Sequence, residues 1–299
     1  TNHVLIGVFS GGIYESFNAI DGYPNVVWKK LTTDIPTQSV RKIERNNNEF
    51  FATSSLLFSF GNRHFSNTHG QFKYLHGLGV IKSIDGGQNW SIPIMNNDLS
   101  RGFDSQDFTK VTANGVMYGI SRKRVYKSID YGNTWNEVGG QIMNGIGDVL
   151  EQIVADPNDS NNLWLSARGG PSANKIYKSI DGGNSWQEKD YYFKNLSGSS
   201  SPTNTFSILN YSGELFVMMQ NSNATVNIFK SNDWQNFTNV KKFYNSGNFQ
   251  IKINYANGKL NYYLLGMPGL YSFTDSTPTN SSLLDLINSF LPPEYMKEI

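Results

Sequence analysis

The sequence predicts an all-β protein built from a repeated antiparallel hairpin unit, and three observations lead to this prediction. The chain has 299 residues, of which 28 are glycine, 14% are aromatic and only 16% are charged, a composition typical of strands and turns. Short segments alternate apolar and polar residues with the period of a strand. A nine-residue motif occurs three times in almost the same form, which indicates a repeat architecture.

Charge and composition exclude several classes of function. The 25 Lys and Arg residues nearly balance the 24 Asp and Glu residues, so the chain has no overall basic excess for nucleic acids or membrane surfaces. We therefore expect no nucleic-acid partner. Because the chain contains no cysteine, disulfides, iron–sulfur clusters, thiolate zinc sites and cysteine nucleophiles are excluded.

The sequence shows no features of a membrane span or of a secretory leader. Its apolar runs are shorter than the roughly 18 residues that a transmembrane helix needs. Residues 1–9 lack the basic start and the long apolar stretch of a signal peptide, and they are predicted to form a strand. We therefore expect neither a signal peptide nor membrane insertion.

The repeated motif follows the pattern S-x-D-x-G-x-x-W and predicts a tight hairpin turn. Its aspartate can accept hydrogen bonds from backbone N–H groups of its own turn, and its glycine supplies the left-handed conformation that such a turn needs. The returning strand then carries the tryptophan toward the core. The three copies comprise Ser83, Asp85, Gly87 and Trp90; Ser128, Asp130, Gly132 and Trp135; and Ser179, Asp181, Gly183 and Trp186.

Fainter copies of the motif extend the repeat over most of the chain. They surround Asp21, Asp233 and Asp275, and successive motif aspartates are 42 to 64 residues apart. This spacing is close to the roughly 40–50 residues of one four-stranded propeller blade. Two-strand patterns precede the strong copies, as at 108–120 and 150–165.

The motif resembles the Asp-box (BNR) repeat of sialidase-like β-propellers. This resemblance implies four-stranded antiparallel blades, with each Asp-box in the turn between the third and fourth strands. Six copies predict a single propeller of six blades over residues 1–281, or of seven if a further blade lies within 29–75. The first blade begins late, so we expect a strand from the C-terminal part of the chain to complete it.

The last segment, residues 282–299, has a different pattern. Apolar residues recur at helical spacing from Ser282 to Leu291, and Pro292 and Pro293 end the pattern. A short helix followed by a tail is therefore predicted. The helix either packs on the propeller or docks a partner in a larger assembly.

The resemblance also implies a division between the two faces of the propeller. In the family the Asp-box aspartates lie opposite the active site, so we assign them a structural role. Function is then expected in the loops between second and third strands and between blades. Arginine in such loops suits bidentate recognition of carboxylate, sulfate or phosphate, although solvated loop charge is the simpler interpretation. The candidate ligand-binding residues are Arg63, His64, Arg101, Arg122, Arg124 and Arg168.

An enzymatic site receives less support from the residues. A sialidase-like site needs an arginine cluster, a tyrosine nucleophile with a glutamate, and an aspartic acid/base; the available groups are Tyr191 or Tyr192 and Asp104 or Asp107. The Arg-Ile-Pro type of motif that marks true sialidases is missing, and no carboxylate pair for a glycosidase is evident. We therefore predict no catalytic residue, and neither a metal site nor a cofactor.

The leading hypothesis is a non-enzymatic propeller for recognition or assembly, extracellular or virion-associated, as in a phage tail, a receptor-binding component or a bacterial surface protein. Loops rich in amides and aromatic residues suit a glycan or a protein surface as the partner. Two alternatives remain open. One is a sialidase-like glycoside hydrolase, and the other is an assembly factor that uses a basic propeller face.

Overall fold

The structure is a computed structural model of the whole chain. It describes residues 3–8, 12–19, 25–32, 40, 42–46, 49–54, 79–91, 94–95, 105–110, 115–121, 123–142, 149–168, 174–198, 203–222, 225–244, 249–256, 259–266 and 269–274. The chain divides into two compact units, Thr1–Gln141 and Ile142–Ile299, and each is described separately below.

The first unit contains three sheets. The first has the order β1-β2-β3, the second β4-β5-β6, and the third β7-β11-β10-β9-β8. Neighbouring strands are antiparallel except for β7, which pairs with β11 in parallel. The strands are β1 Val4–Val8, β2 Gly12–Ser16, β3 Lys29–Lys30, β4 Ile43–Asn46, β5 Glu49–Ser54, β6 Gly79–Ser83, β7 Ile94–Met95, β8 Ser105–Lys110, β9 Met117–Ser121, β10 Arg124–Ser128 and β11 Thr134–Gln141.

The second unit contains two four-stranded sheets, β12 to β15 and β16 to β19, and the three-stranded sheet β20 to β22, each in sequence order. A helix, α1, Asp190–Ser197, connects the first two sheets. The strands are β12 Val149–Ala155, β13 Leu163–Arg168, β14 Lys175–Ser179, β15 Gln187–Glu188, β16 Thr203–Tyr211, β17 Glu214–Asn221, β18 Thr225–Ser231, β19 Thr238–Tyr244, β20 Phe249–Ala256, β21 Lys259–Gly266 and β22 Gly269–Thr274.

The all-β prediction with four-stranded antiparallel sheets is confirmed. The described residues form six sheets, and the number of propeller blades stays a prediction. Residues 43–54, within the segment considered for a further blade, supply β4 and β5, of which β5 pairs with β6 in the second sheet. The expected helix at 282–291 lies outside the described residues. Among the described residues, no helix has the length and apolar character that crossing a membrane requires.

The connection between the β12–β15 and β16–β19 sheets is helical, and the candidate tyrosines Tyr191 and Tyr192 lie in α1. The helix ends at Gly198, whose φ of 66° is left-handed and whose backbone N–H donates to the carbonyl oxygens of Lys194 and Asn195. This termination is a common way to satisfy the last carbonyls of a helix.

The β4–β6 sheet of the first unit is buried on both faces at β5. The adjacent residues Phe50 and Phe51 point to opposite sides of β5 and belong to different core clusters. One cluster comprises Ile13, Leu31, Val40, Phe50, Ala52, Ile81 and Trp90, and the other comprises Phe51, Val80, Met117 and Trp135. Sheets stacked face to face, as blades are, produce this two-sided burial.

The core of the second unit lies between the β12–β15 and β16–β19 sheets and is rich in aromatic rings. Phe193 of α1 is buried there, with its ring centroid 5.1 Å from Phe229 and 5.0 Å from Phe237. Trp164 packs edge-on against Phe237 at 5.3 Å, and its indole N–H donates to the carbonyl oxygen of Trp234 at 3.2 Å. The helix is therefore anchored to both sheets by one aromatic side chain.

Two neighbouring glycines allow a test of how tightly the turn of the first strong Asp-box is packed. Gly86 and Gly87 both have left-handed φ, 74° and 87°, but a Cβ at Gly86 would meet nothing within 4 Å. A Cβ at Gly87 would lie 2.7 Å from Leu31 Cδ1 and 3.1 Å from Phe50 Cε2. We expect Gly86→Ala to lower the free energy of unfolding by about 1–2 kcal/mol, and Gly87→Ala by roughly 1–3 kcal/mol more.

Chemical denaturation of the two variants measures this difference. Both alanines would adopt a left-handed backbone. The additional loss of unfolding free energy in Gly87→Ala, relative to Gly86→Ala, therefore measures how closely the turn packs on the core. Equal losses in the two variants would contradict the close contact of this turn with Leu31 and Phe50.

Candidate functional site

Each strong Asp-box forms a turn held by side-chain hydrogen bonds. In the first, the backbone N–H of Gly87 donates to Ser83 Oγ at 2.8 Å, and that hydroxyl donates to Asp85 Oδ1 at 2.8 Å. The same carboxylate oxygen accepts the backbone N–H of Asn89 at 2.9 Å. The indole N–H of Trp90 donates to the carbonyl oxygen of Gly87 at 3.0 Å, which fixes the ring on the turn.

The other two strong copies repeat these contacts. Gly132 and Gly183 donate to the serine hydroxyls at 2.8 and 2.9 Å, and the indole N–H groups of Trp135 and Trp186 donate to the glycine carbonyls at 3.1 and 3.0 Å. The carboxylates again accept from the turn. Their donors are the backbone N–H and hydroxyl groups of Thr134, for Asp130, and of Ser185, for Asp181.

The carboxylates of the turns are held in the ionised form by these bonds. The backbone N–H and the side-chain amide of Asn89 lower the pKa of Asp85 to about 2. The hydroxyl and backbone N–H of Ser185 lower the pKa of Asp181 to about 2 as well. A general acid needs a raised pKa, so these aspartates are unsuited to that role.

The weaker copy at Asp233 keeps the carboxylate turn but uses its tryptophan differently. Asp233 Oδ1 accepts the backbone N–H groups of Gln235 and Asn236 at 2.9 and 2.7 Å. Trp234 directly follows the aspartate, has a left-handed φ of 59°, and donates its indole N–H to Gly213 at 2.8 Å. Phe237 is buried close to the position that tryptophan occupies in the strong copies.

A lysine in front of the motif serine links consecutive sheets, a contact that the sequence did not predict. Lys82 Nζ donates to the carbonyl oxygen of Tyr131 at 3.2 Å and to Asn133 Oδ1 at 3.0 Å in the next Asp-box of its unit. Lys178 Nζ donates to the carbonyl oxygen of Trp234 at 3.2 Å. Both carbonyls belong to the residue after the motif aspartate. Lysine precedes the serine in all four motifs from Asp85 to Asp233, which was the available signal.

We expect the Asp-box carboxylates to make stability depend on acid pH. A depressed carboxyl pKa contributes stability that is present above the unfolded value near 3.8 and is lost as the pH falls through about 2. The thermal midpoint should therefore fall between about pH 4 and pH 2. Asp85→Asn and Asp181→Asn should each lower the midpoint at pH 5 and reduce its fall below pH 4.

Asp159→Asn is the control, because Asp159 is exposed and accepts the backbone N–H of Asn161 in a turn outside the Asp-boxes. Differential scanning calorimetry between pH 5 and pH 2 gives the thermal midpoints of the parent chain and of the three variants. If the thermal midpoint of both Asp-box variants fell with pH as steeply as that of the parent chain, the role assigned to these carboxylates would be contradicted.

The loop ends of the sheets, opposite the Asp-box turns, carry the two candidate arginines that the structure describes. Arg124 begins β10 and its guanidinium contacts the Glu137 carboxylate of β11. Arg168 ends β13, with Nε 3.5 Å from Glu151 Oε1 of β12. Each arginine is thus paired with a glutamate of its own sheet. The other candidates, Arg63, His64, Arg101 and Arg122, lie outside the described residues.

A mixed-charge cluster surrounds the start of α1. The ammonium group of Lys175 contacts Glu188, and Lys194 Nζ lies 3.7 Å from Asp190 Oδ2 one helical turn away. Burial and a hydrogen bond with Glu188 raise the pKa of Asp190. Burial opposes ionisation of Glu188 as well, but hydrogen bonds from Asp190 and Lys175 lower its pKa. Asp190 is therefore the harder of the two carboxyl groups to ionise.

This carboxyl pair has the opposed pKa directions of an acid/base pair but not its spacing. In glycosidases the two groups lie about 5 Å or more apart, on either side of the scissile bond. The side chains of Glu188 and Asp190 are hydrogen-bonded to each other, which leaves no space for a sugar between them. Among the described residues, no group of three or more histidine, aspartate or glutamate side chains is arranged to hold a metal ion.

The two candidate tyrosines have different environments on α1. The hydroxyl of Tyr192 accepts the backbone N–H of Phe237 at 3.2 Å, and its ring packs on Phe193. Tyr191 is 75% exposed. Asp107 lies in β8, and Asp104 lies outside the described residues. Both tyrosines therefore belong to the second unit, and Asp107 belongs to the first.

Buried polar side chains lie toward the loop ends of the second unit. Ser166 of β13, Asn221 at the end of β17 and Asn227 of β18 are all buried. The Ser166 hydroxyl, both amide atoms of Asn221 and the amide nitrogen of Asn227 have no hydrogen-bond partner among the described residues. The interface between these sheets is thus aromatic near the Asp-box turns and polar toward the opposite end.

Comparison with known proteins identifies the fold. No protein-family model matches the chain, and no curated protein matches its sequence. Among solved structures, an ancestral GH74 enzyme is similar with a TM-score of 0.55 and 14% identity, over 92% of this chain and 35% of the enzyme. A chain of the nidogen/laminin complex is similar with a TM-score of 0.51 and 11% identity, over 91% of this chain and 89% of that chain. Trypanosoma rangeli sialidase in complex with sialic acid has a TM-score of 0.45 and 14% identity, over 93% of this chain and 50% of the sialidase chain.

The GH74 enzyme and the nidogen/laminin complex confirm the predicted β-propeller fold. At identities of 11% and 14% the two structures with TM-scores above 0.5 establish the fold alone. The chain spans about a third of the length of the GH74 enzyme. A β-propeller with sheets closed by Asp-box turns is therefore the scaffold on which the loop ends and α1 are displayed.

Proposed function

We propose that this chain is a non-enzymatic recognition or assembly propeller that binds a glycan or protein partner through the loop ends of its sheets, opposite the Asp-box turns. The observation that carries the proposal is the pairing of Arg124 with Glu137 and of Arg168 with Glu151. Guanidinium groups that face a carboxylate of their own sheet present a mixed polar surface. Such a surface suits hydrogen-bonded recognition better than the capture of an anionic substrate in a catalytic funnel.

The division of contacts within each sheet supports the same proposal. At the Asp-box end, the carboxylates, the indole N–H groups and the lysines Lys82 and Lys178 are engaged in turn and inter-sheet contacts. At the loop end, the described arginines make ion pairs within their own sheets. Binding residues commonly lie on loops that a rigid scaffold positions.

The fold does not choose between an enzyme and a binding protein, because one propeller architecture supports both. By their names, its structural neighbours include a GH74 enzyme and a complex of nidogen with laminin. The proposal therefore rests on the site. We place the protein outside the cell or on a virion, on the strength of its amide-rich and aromatic-rich composition, and we assign the segment 282–299 to contacts within a larger assembly.

The binding surface can be tested with two variants of the same sheet. Arg168 is at the loop end of the β12–β15 sheet, and Ile180, which is 74% exposed, is on its Asp-box turn. On a glycan array, we expect Arg168→Glu to weaken binding of the parent chain's glycans at least about tenfold. Ile180→Lys should bind as the parent does. The reverse pattern would place the binding surface at the Asp-box end and overturn the proposal.

The hydrolase alternative has one favourable observation, the opposed pKa directions of Glu188 and Asp190, and it can be tested directly. We expect no turnover of fluorogenic sialosides or glucosides by the purified chain between pH 4 and pH 8. Turnover that disappears in Asp190→Asn, Tyr191→Phe or Tyr192→Phe would overturn the non-enzymatic proposal. Turnover that all three variants retain would indicate a contaminating hydrolase. Repurification to constant specific activity would then show whether the activity belongs to the chain or to the contaminant.

A further inference from the structure

We propose that the interface between the β12–β15 and β16–β19 sheets encloses a closed hydration site, in which ordered water bonds to Ser166, Asn221 and Asn227. These three side chains are called the polar layer below. Ser166 is 1% exposed and both asparagines are 0% exposed. The inference concerns the interior of the second unit, so it goes beyond the function proposed above and does not depend on it.

Strand register places the polar layer in one interface. Ser166 of β13 pairs with Ile176 of β14, and cross-strand partners lie on the same face of a sheet. In the same way Asn227 of β18 pairs with Met219 of β17. Ile176 and Met219 belong to one core cluster, which lies between the two sheets. Asn221 follows Met219 by two residues and therefore faces the same side of β17.

The polar layer contains four hydrogen-bonding atoms that have no partner among the described residues. They are Ser166 Oγ, Asn221 Oδ1, Asn221 Nδ2 and Asn227 Nδ2. The set includes both donors and acceptors, so its members could satisfy one another if they lay within hydrogen-bonding distance. A buried polar group without a partner is unfavourable. A water molecule both donates and accepts, and it bridges groups that are too far apart to bond directly.

The polar layer is bounded on two sides. On one side a direct bond joins the sheets, because the backbone N–H of Ile208 donates at 2.9 Å to Oε1 of Gln152, the partner of Ser166 on β12. On the other side Trp164 and Phe229 continue the same faces toward the Asp-box turns and belong to the aromatic core. The hydration site therefore completes an interface whose opposite end is filled by rings.

The chemistry of the polar layer selects a small neutral occupant. Its groups are one hydroxyl and two amides, and a buried ion without an opposite charge is unfavourable. The charged residues nearest along the strands are engaged elsewhere or exposed. Arg168 is paired with Glu151, Lys178 donates to the carbonyl oxygen of Trp234, and Lys242, opposite Asn227 on β19, is exposed.

Burial excludes a larger neutral molecule. With at most 1% of its side chains exposed, the polar layer has no open path to solvent for a sugar or a polyol. Water enters such sites, and buried waters typically make about three hydrogen bonds to polar groups that are otherwise unpaired. Three side chains with four unpaired atoms meet this requirement.

The test is NMR of the isotope-labelled full chain, in which magnetisation is transferred from water to side-chain N–H groups. We expect cross-peaks between water and the side-chain amide protons of Asn221 and Asn227, with the sign that a long-lived bound water gives. The indole N–H of Trp164 is the internal control. It is 1% exposed and donates to the carbonyl oxygen of Trp234, so it should show no cross-peak.

Two variants show whether the asparagines share one site. Asn221→Leu removes two of the four unpaired atoms and should abolish the water cross-peak of Asn227. Ser207→Ala is the matched control. Ser207 is 2% exposed and its hydroxyl has no partner among the described residues, but it lies on the face of β16 opposite Phe206 and Ile208, which belong to the core cluster. Its removal should leave the cross-peak unchanged.

Several results would overturn the hydration site. These are the absence of a water cross-peak from both asparagines of the parent chain, an equally strong cross-peak from the Trp164 indole, and a cross-peak of Asn227 that persists in Asn221→Leu. A crystal structure provides a test that needs no variant. We expect solvent density about 2.7–3.2 Å from the polar atoms of the layer. Direct bonds among Ser166, Asn221 and Asn227, or an ion in their midst, would contradict the proposal.

Discussion

The hydrogen-bonded turn of the Asp-box is the local constraint on which the rest of each sheet depends. The serine hydroxyl joins the glycine N–H to the aspartate, and the glycine carbonyl holds the indole of the following tryptophan. The large ring is thereby fixed in the core by the turn itself. As a result, the fourth strand can be very short: β15 has two residues, and Ser91 makes a single bridge to Lys82. The helix α1 follows β15 after one residue, Lys189, and contacts β14.

The same turns also connect neighbouring sheets. Lys82 and Lys178 extend each turn to the next sheet through the carbonyl of a left-handed residue, Tyr131 or Trp234. Aromatic packing is concentrated near that end in the second unit. Toward the other end, buried amides and hydroxyls replace aromatic rings, and charged residues pair across neighbouring strands. A sheet that is rigid at one end can vary its loops at the other end at little cost to the fold.

The sequence predicted most of the fold because the contacts of the Asp-box span at most a few residues. Ser83, Asp85, Gly87 and Trp90 bond within one turn, so the pattern and the geometry are almost equivalent. The lysine bridges were missed because they join residues about fifty positions apart. The helix α1 was missed because Tyr-Tyr-Phe has a low helix propensity and eight residues are too few for an independent helix. Burial of Phe193 stabilises it, and that contact depends on tertiary structure.

The candidate site was predicted less well, for a related reason. The loop arginines were identified from their residue type, but strand register decides which carboxylate each of them faces. Arg168 meets Glu151 because β12 and β13 are paired, and Arg124 meets Glu137 because β10 and β11 are paired. Pairing within each sheet balances the charges of these two arginines. Recognition at such paired residues, as proposed above, depends on shape and hydrogen bonds, which salt screens less than it screens long-range attraction between charges.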